Sequence, residues 1–114
     1  MTGNCVFCKI KNKKIPAEIL FEDDFCFIIK DINPVAPIHF LIIPNIHFTY
    51  LDNLTDDFAP VISKMFEAAK NIALHENVLE SGYRLVINQK DDAGQELPHL
   101  HLHLIAGIKL KPLG

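Results

Sequence analysis

The chain has 114 residues, 49% hydrophobic and 22% charged, with a formal net charge of −3. That length suits one domain, residues 1–114, around one hydrophobic core, and the composition excludes disorder. Its slight acidity, with positive charge concentrated only in the short run 9–14, argues against a protein that coats nucleic acid. No apolar run reaches about 18 residues and the start lacks an apolar secretory core, so a cytoplasmic protein with no membrane partner is expected.

Along the chain, residues 6–10 form a short helix or turn that ends before Pro16. Residues 18–21 and 25–30 read as strands around the turn Glu22-Asp23-Asp24. Two prolines in 31–37 predict an ordered loop, and 39–43 reads as a third strand stopped by Pro44. Thr55 is placed to cap a helix, with Asp56 and Asp57 in its first turn, where the helix dipole favours negative charge. Phe58, Ile62, Met65, Ala69 and Ile72 then form one apolar stripe about five turns long, a core face more than a cofactor site. Pro60 is tolerable because it lies in the first turn. Residues 83–89 read as a fourth strand, 90–96 as a glycine-bearing loop and 99–106 as a fifth strand. Five strands, one long helix and one short helix make an α+β domain with a mainly antiparallel sheet.

Chemistry concentrates at the fifth strand. Three of the six histidines, His99, His101 and His103, alternate with Leu100, Leu102 and Leu104. Successive strand side chains point to opposite faces, so the three imidazoles share one face, neighbours about 6.6 Å apart. Such a row can hold a metal, attack an electrophile or grip a phosphate. The three cysteines include the pair Cys5-x-x-Cys8, which in a reducing compartment suggests metal or redox use. Cys26 lies in an apolar strand and belongs in the core, while His75 near the helix end caps it or faces solvent.

The segment from His99 to Ile105 resembles the signature of the histidine-triad family, in which three histidines alternate with apolar residues. Further segments resemble its Hint branch: Phe7-Cys8-Lys9-Ile10, Asp31-Ile32-Asn33-Pro34, Ile42-Ile43-Pro44, Gly82-Tyr83-Arg84 and Gly94-Gln95. The resemblance implies a homodimer whose sheets join, and a purine nucleoside phosphoramidase that works through a nucleotidyl-histidine. It assigns His101 as nucleophile, His103 as donor to phosphate oxygens and His39 as a supporting histidine, with a backbone-bonded strand residue as the alternative for His39. Asp31, or else a mere turn residue, binds the ribose hydroxyls with Ile32 beside it. Asn88, Gly94, Gln95 and Glu96 surround the α-phosphate, and Val6, Phe7, Ile10, Ile15 and Ile29 line the base pocket. In a subset of the family the positions of Cys5, Cys8, His47 and His99 form a structural zinc site, so Zn²⁺ is expected here and no organic cofactor.

Two departures bear on specificity. Glu96 stands where some members carry a serine that contacts the leaving group, and Pro98 replaces a common tyrosine. A dinucleoside polyphosphate hydrolase of the Fhit type and a nucleotide-responsive scaffold are the alternative functions. A nucleotidyltransferase is disfavoured because His103 stands where that branch places glutamine.

Overall fold

Alternation along the central strands sorts side chains into two apolar layers, one on each face of a single sheet. The computed structural model describes residues 5–113. Its elements are α1 (Val6–Lys11), β1 (Ile19–Glu22), β2 (Cys26–Lys30), β3 (Ile38–Pro44), α2 (Ala59–His75), β4 (Tyr83–Val86) and β5 (Leu102–Ala106), with short 3₁₀ turns at Leu51–Asn53, Asp56–Phe58 and Asp91–Ala93. The five strands lie in the order β1-β2-β3-β5-β4, and every pairing is antiparallel. The α+β architecture expected from the sequence is the one observed. No helix of the described residues is long and apolar enough to cross a membrane.

Cys26, Ile28, Phe40, Ile42, Leu102 and Leu104 face the long helix, whose Val61, Met65, Ala68, Ala69 and Ala73 close that layer. Fully burying a leucine such as Leu102 or Leu104 contributes roughly 2–3 kcal/mol. The alternate residues Phe27, Ile29, Leu41 and Ile43 face α1, which contributes Phe7 and Ile10. This second layer carries the chemistry, because His39 and His103 share its face. The turn between β1 and β2 is set by Asp23, whose Oδ1 accepts from Phe25 N (2.8 Å) and Cys26 N (2.9 Å).

Several elements are shorter or shifted from their sequence patterns. The fifth strand starts at Leu102, not at residue 99. Ahead of it, His99 N donates to Leu97 O (2.9 Å) and Leu100 N to Phe48 O (2.8 Å), and Pro98 has no N–H. Those backbone groups are spent outside the ladder, so residues 99–101 lead into the strand without pairing. β4 stops at Val86, paired with His103, so residues 87–89 lie outside the strand. The long helix begins at Ala59 after a 3₁₀ turn, and Thr55 makes no side-chain cap bond. Pro60 sits in its first turn, where a missing N–H costs no helical bond. Pro44 belongs to β3, opposite Cys26.

Candidate active site

Register explains why two distant histidines meet. In the β3–β5 pairing His39 opposes Ile105 and Leu41 opposes His103, which makes His39 and His103 diagonal neighbours on one face. His39 Nε2 lies 2.9 Å from His103 Nδ1, and Asp31 Oδ2 lies 3.4 Å from the same Nε2. Val35 N donates to His39 Nδ1 (3.2 Å). That nitrogen is therefore an acceptor, so neutral His39 carries its proton on Nε2 and offers it to His103 Nδ1. His103 in turn keeps its own proton on Nε2, free to donate. Burial pushes the His103 pKa down to about 4, helped by the neighbouring His101 and His39 and opposed by Asp31. His103 is neutral at pH 7.

His101 has the opposite arrangement. Its Nδ1 is 2.8 Å from His99 O. A carbonyl only accepts, so the proton is on Nδ1 and the Nε2 lone pair is free. The His101 and His103 rings are 5.0 Å apart, and Phe7 meets His101 edge-on at 5.1 Å. A single residue type thus presents a lone pair at one position and an N–H at the next.

Both histidines line a cavity of about 450 Å³, within the range of small-molecule sites, about 300–1,000 Å³. Val6, Phe7 and Ile10 from α1, with Ile29 and Leu41, form its apolar part. Asp31, Asn88, Gly94 and Glu96 lie around its polar part, and Ile32, 91% exposed, stands at the rim. Gly94 holds φ 77° at the end of its 3₁₀ turn, a left-handed conformation that favours glycine.

Not every expected residue faces this cavity. The Gln95 side chain spans its own loop instead, with Oε1 accepting from Lys90 N (2.9 Å) and Nε2 donating to Thr49 O and Leu97 O (both 3.2 Å). Ile15 packs in the apolar layer beneath α1. Conversely, Leu41, Leu97, Lys30 and Asn33 line the cavity without having been singled out in the sequence. Leu41 was accessible to pattern reasoning, since it alternates with His39. Leu97 had no such signal. Cys26 is fully buried, as expected, and exposed His75 pairs with Glu76 (3.0 Å).

A second cluster adjoins the first. Cys5, Cys8, His47 and His99 bring one donor atom each to within 4.8 Å of one another. Cys5 Sγ is 3.3 Å from His99 Nδ1, Cys8 Sγ 3.3 Å from His47 Nδ1 and Cys8 Sγ 3.7 Å from His99 Nδ1. Bond lengths of about 2.3 Å to sulfur and 2.0–2.1 Å to nitrogen place tetrahedral neighbours about 3.6 Å apart, so the four donors fit one metal ion. His99 Nε2 lies 2.9 Å from Pro44 O, which fixes its proton there and leaves Nδ1 bare for a metal. Burial pushes His99 down to about 4 and also lowers His47, keeping both imidazoles neutral. Without a metal, burial and then Cys5 raise the Cys8 thiol to about 11, so binding releases protons.

An antiparallel sheet that sets a row of histidines with fixed tautomers over one cavity defines an α+β protein with a histidine-centred small-molecule site. Residues 12–110 match the HIT domain, and the chain belongs to the HIT family. It is 37% identical over 113 residues to the purine nucleoside phosphoramidase of Escherichia coli K12, covering 99% of this chain and 95% of that protein. Among solved structures, a HIT family hydrolase from Clostridium thermocellum superposes with a TM-score of 0.94 at 40% identity, covering 99% of this chain and 98% of the other. A zinc-bound histidine triad family protein from Mycobacterium smegmatis superposes with a TM-score of 0.79 at 29% identity, covering 92% and 76%.

Proposed function

We propose that this protein is a purine nucleoside phosphoramidase, cleaving the P–N bond of nucleoside 5′-monophosphoramidates or aminoacyl-adenylates. One observation carries the reading: His99 O holds the His101 proton on Nδ1, so that the Nε2 lone pair is free beside the N–H of His103. The 37% identity to the Escherichia coli phosphoramidase supports the choice of substrate class. In this scheme the nucleoside lies against Phe7, Ile10, Ile29 and Leu41, and Asp31 accepts from the ribose hydroxyls. His101 Nε2 attacks the α-phosphorus as the P–N bond breaks. The amine leaves with the bond pair and takes a proton from water at the open mouth. The cationic ring is stabilised by its Nδ1–H bond to His99 O, and His103 donates to a phosphate oxygen. Water then attacks phosphorus and gives a proton to the hydroxide left by the first step, the P–Nε2 bond breaks with its electron pair returning to His101, and the monophosphate is released.

Hydrolysis of dinucleoside polyphosphates would use the same nucleophile, but the carboxylate of Glu96 at the cavity weighs against a polyanionic leaving group. Fixed tautomers at both histidines weigh against a scaffold with vestigial chemistry. The same proposal places one Zn²⁺ at Cys5, Cys8, His47 and His99, where it would tie α1 to the segment before β5 without entering the reaction. It also makes the protein a homodimer, working in the cytoplasm, where Cys5 and Cys8 stay reduced.

Adenosine 5′-phosphoramidate hydrolysis by His101→Ala tests the assignment. Turnover should fall by at least about a thousandfold while adenosine monophosphate binding survives. Near-wild-type turnover would overturn it.

A further inference from the structure

The metal cluster and the cavity share two structural parts, a six-residue helix and one histidine. α1 spans only Val6–Lys11, far below the length at which a helix is stable alone, so tertiary contacts must hold it. Its cysteines and its cavity residues interleave. Cys5 caps the helix and Cys8 sits in its first turn, both toward His99, while Val6, Phe7 and Ile10 line the cavity. Among the described residues, the side-chain polar ties between this helix with its cap and the rest of the molecule are the thiol–imidazole contacts of 3.3–3.7 Å.

His99 is the second shared part. Its Nδ1 faces the cysteines, its Nε2–H is anchored on Pro44 O, and its own carbonyl holds the Nδ1 proton of His101. Phe7 lies between the cysteines in sequence, is 2% exposed and sets its ring edge-on to both His99 (5.7 Å) and His101 (5.1 Å). Fixing His99 and the start of α1 therefore fixes the carbonyl that orients His101 and the wall against which a base would lie.

We infer that the Cys5/Cys8/His47/His99 cluster is coupled to the nucleotide cavity, so that a divalent metal at the cluster and a nucleotide in the cavity each tighten the other's binding. The sign follows from ordering: whichever ligand arrives first holds α1 and His99 in place, and the second binds a structure already fixed. Reciprocity follows from linkage, and both effects must be the same factor. Cys5, Cys8 and His47 thereby become positioning residues for a reaction they never touch.

The inference rests on the nucleotide reading above, and the test separates the two. Adenosine monophosphate is titrated calorimetrically into the full chain stripped of metal and into the same chain with one equivalent of Zn²⁺, with circular dichroism reporting folding in each form. Independently, transfer of Zn²⁺ from the loaded protein to a coloured chelator is followed with and without saturating adenosine monophosphate, which needs no folded metal-free state. Kd for the nucleotide should fall by about fivefold or more on loading, and the metal should be held more tightly by the same factor when nucleotide is bound. Phe7→Leu, which keeps an apolar wall but removes the shared ring edge, should shrink that factor. No nucleotide binding in either form would overturn the nucleotide reading and this inference with it. No zinc uptake would remove the metal and the coupling together. Nucleotide affinities within about twofold of each other, with chelator transfer unaffected by nucleotide, would overturn the coupling alone.

Discussion

At the scale of single residues, the tautomer of each ring is set by the group its nitrogen meets: a backbone carbonyl for His99 and His101, the His39 ring for His103. His103 gives this a measurable form. Its folded pKa, about 4, lies below the ordinary 6.5, so the unfolded chain takes a proton that the folded chain refuses. Stability is therefore complete above about pH 6.5 and falls as pH drops toward about 4. The site is half-buried and partly screened, so the loss between about pH 7 and pH 5 is on the order of 1 kcal/mol. Urea melts at both pH values should show a loss of stability that is smaller in His103→Gln by about that amount, with His99, also held at about 4, supplying acid sensitivity that the substitution leaves in place. Glu96 supplies a second prediction. It lines the cavity, and Asp91 and Asp92 share its loop, so a leaving group departing on that side would meet negative charge. The kcat/KM ratio of a lysine-linked adenylate to a diadenosine polyphosphate should drop about fivefold in Glu96→Ser. An unchanged ratio would show that Glu96 has no part in leaving-group choice. The sequence revealed which residues alternate, and hence that His101 and His103 share a face. It could not reveal their tautomers, because the deciding partners, His99 O and Val35 N, are backbone groups identical in every residue.

Among the elements, the loop after β4 shows how a segment without regular structure is held. Lys90 adopts φ 69°, unfavourable for a side-chain-bearing residue, and its ammonium pairs with Asp52 and lies 5.0 Å from the centre of the Tyr50 ring. Gln95 closes the loop by accepting from Lys90 N and donating to Thr49 O and Leu97 O. Asn88, Gly94 and Glu96 project from this frame into the cavity. Gln95→Glu keeps the acceptor but turns an acceptor toward two carbonyls, which should cost roughly 1–3 kcal/mol. If the loop frames the phosphate end, KM should rise more than kcat falls; melting curves and steady-state kinetics on the one variant check both. Element types were legible from periodicity, as the α2 stripe and the β2–β3 alternation show. Their ends were not, because β5 starts where Leu100 N leaves the ladder for Phe48 O, a contact 52 residues away in the chain.

For the whole molecule, the sheet order leaves β4 at one edge, and all four of its residues are half-buried. Exposed edges are commonly paired or covered. If two copies join β4 to β4 across a two-fold axis, sedimentation at micromolar concentration should give twice the mass of one chain. Successive N–H groups of a strand point to opposite edges. Of Arg84→Pro and Leu85→Pro, therefore, one removes a donor facing β5 and destabilises the fold, and the other removes an outward donor and yields a folded monomer. A monomeric native chain would end the dimer reading.

The different partners of the three rings, Pro44 O for His99, His99 O for His101 and the His39 ring for His103, give three identical residues three different sets of acceptable replacements. Asparagine places its polar atoms near the position of Nδ1, and glutamine near that of Nε2. At His99 Nδ1 faces Cys5 and Cys8 and would hold a metal, while Nε2 anchors to Pro44, so neither amide reproduces both ends. At His103 glutamine can still offer a donor toward the cavity but gives up the acceptor that receives the His39 proton. At His101 an amide can mimic the hydrogen bond to the backbone or the reach into the cavity, but never the lone pair of a neutral imidazole. A run that looks repetitive as text would diverge differently at each of its three positions.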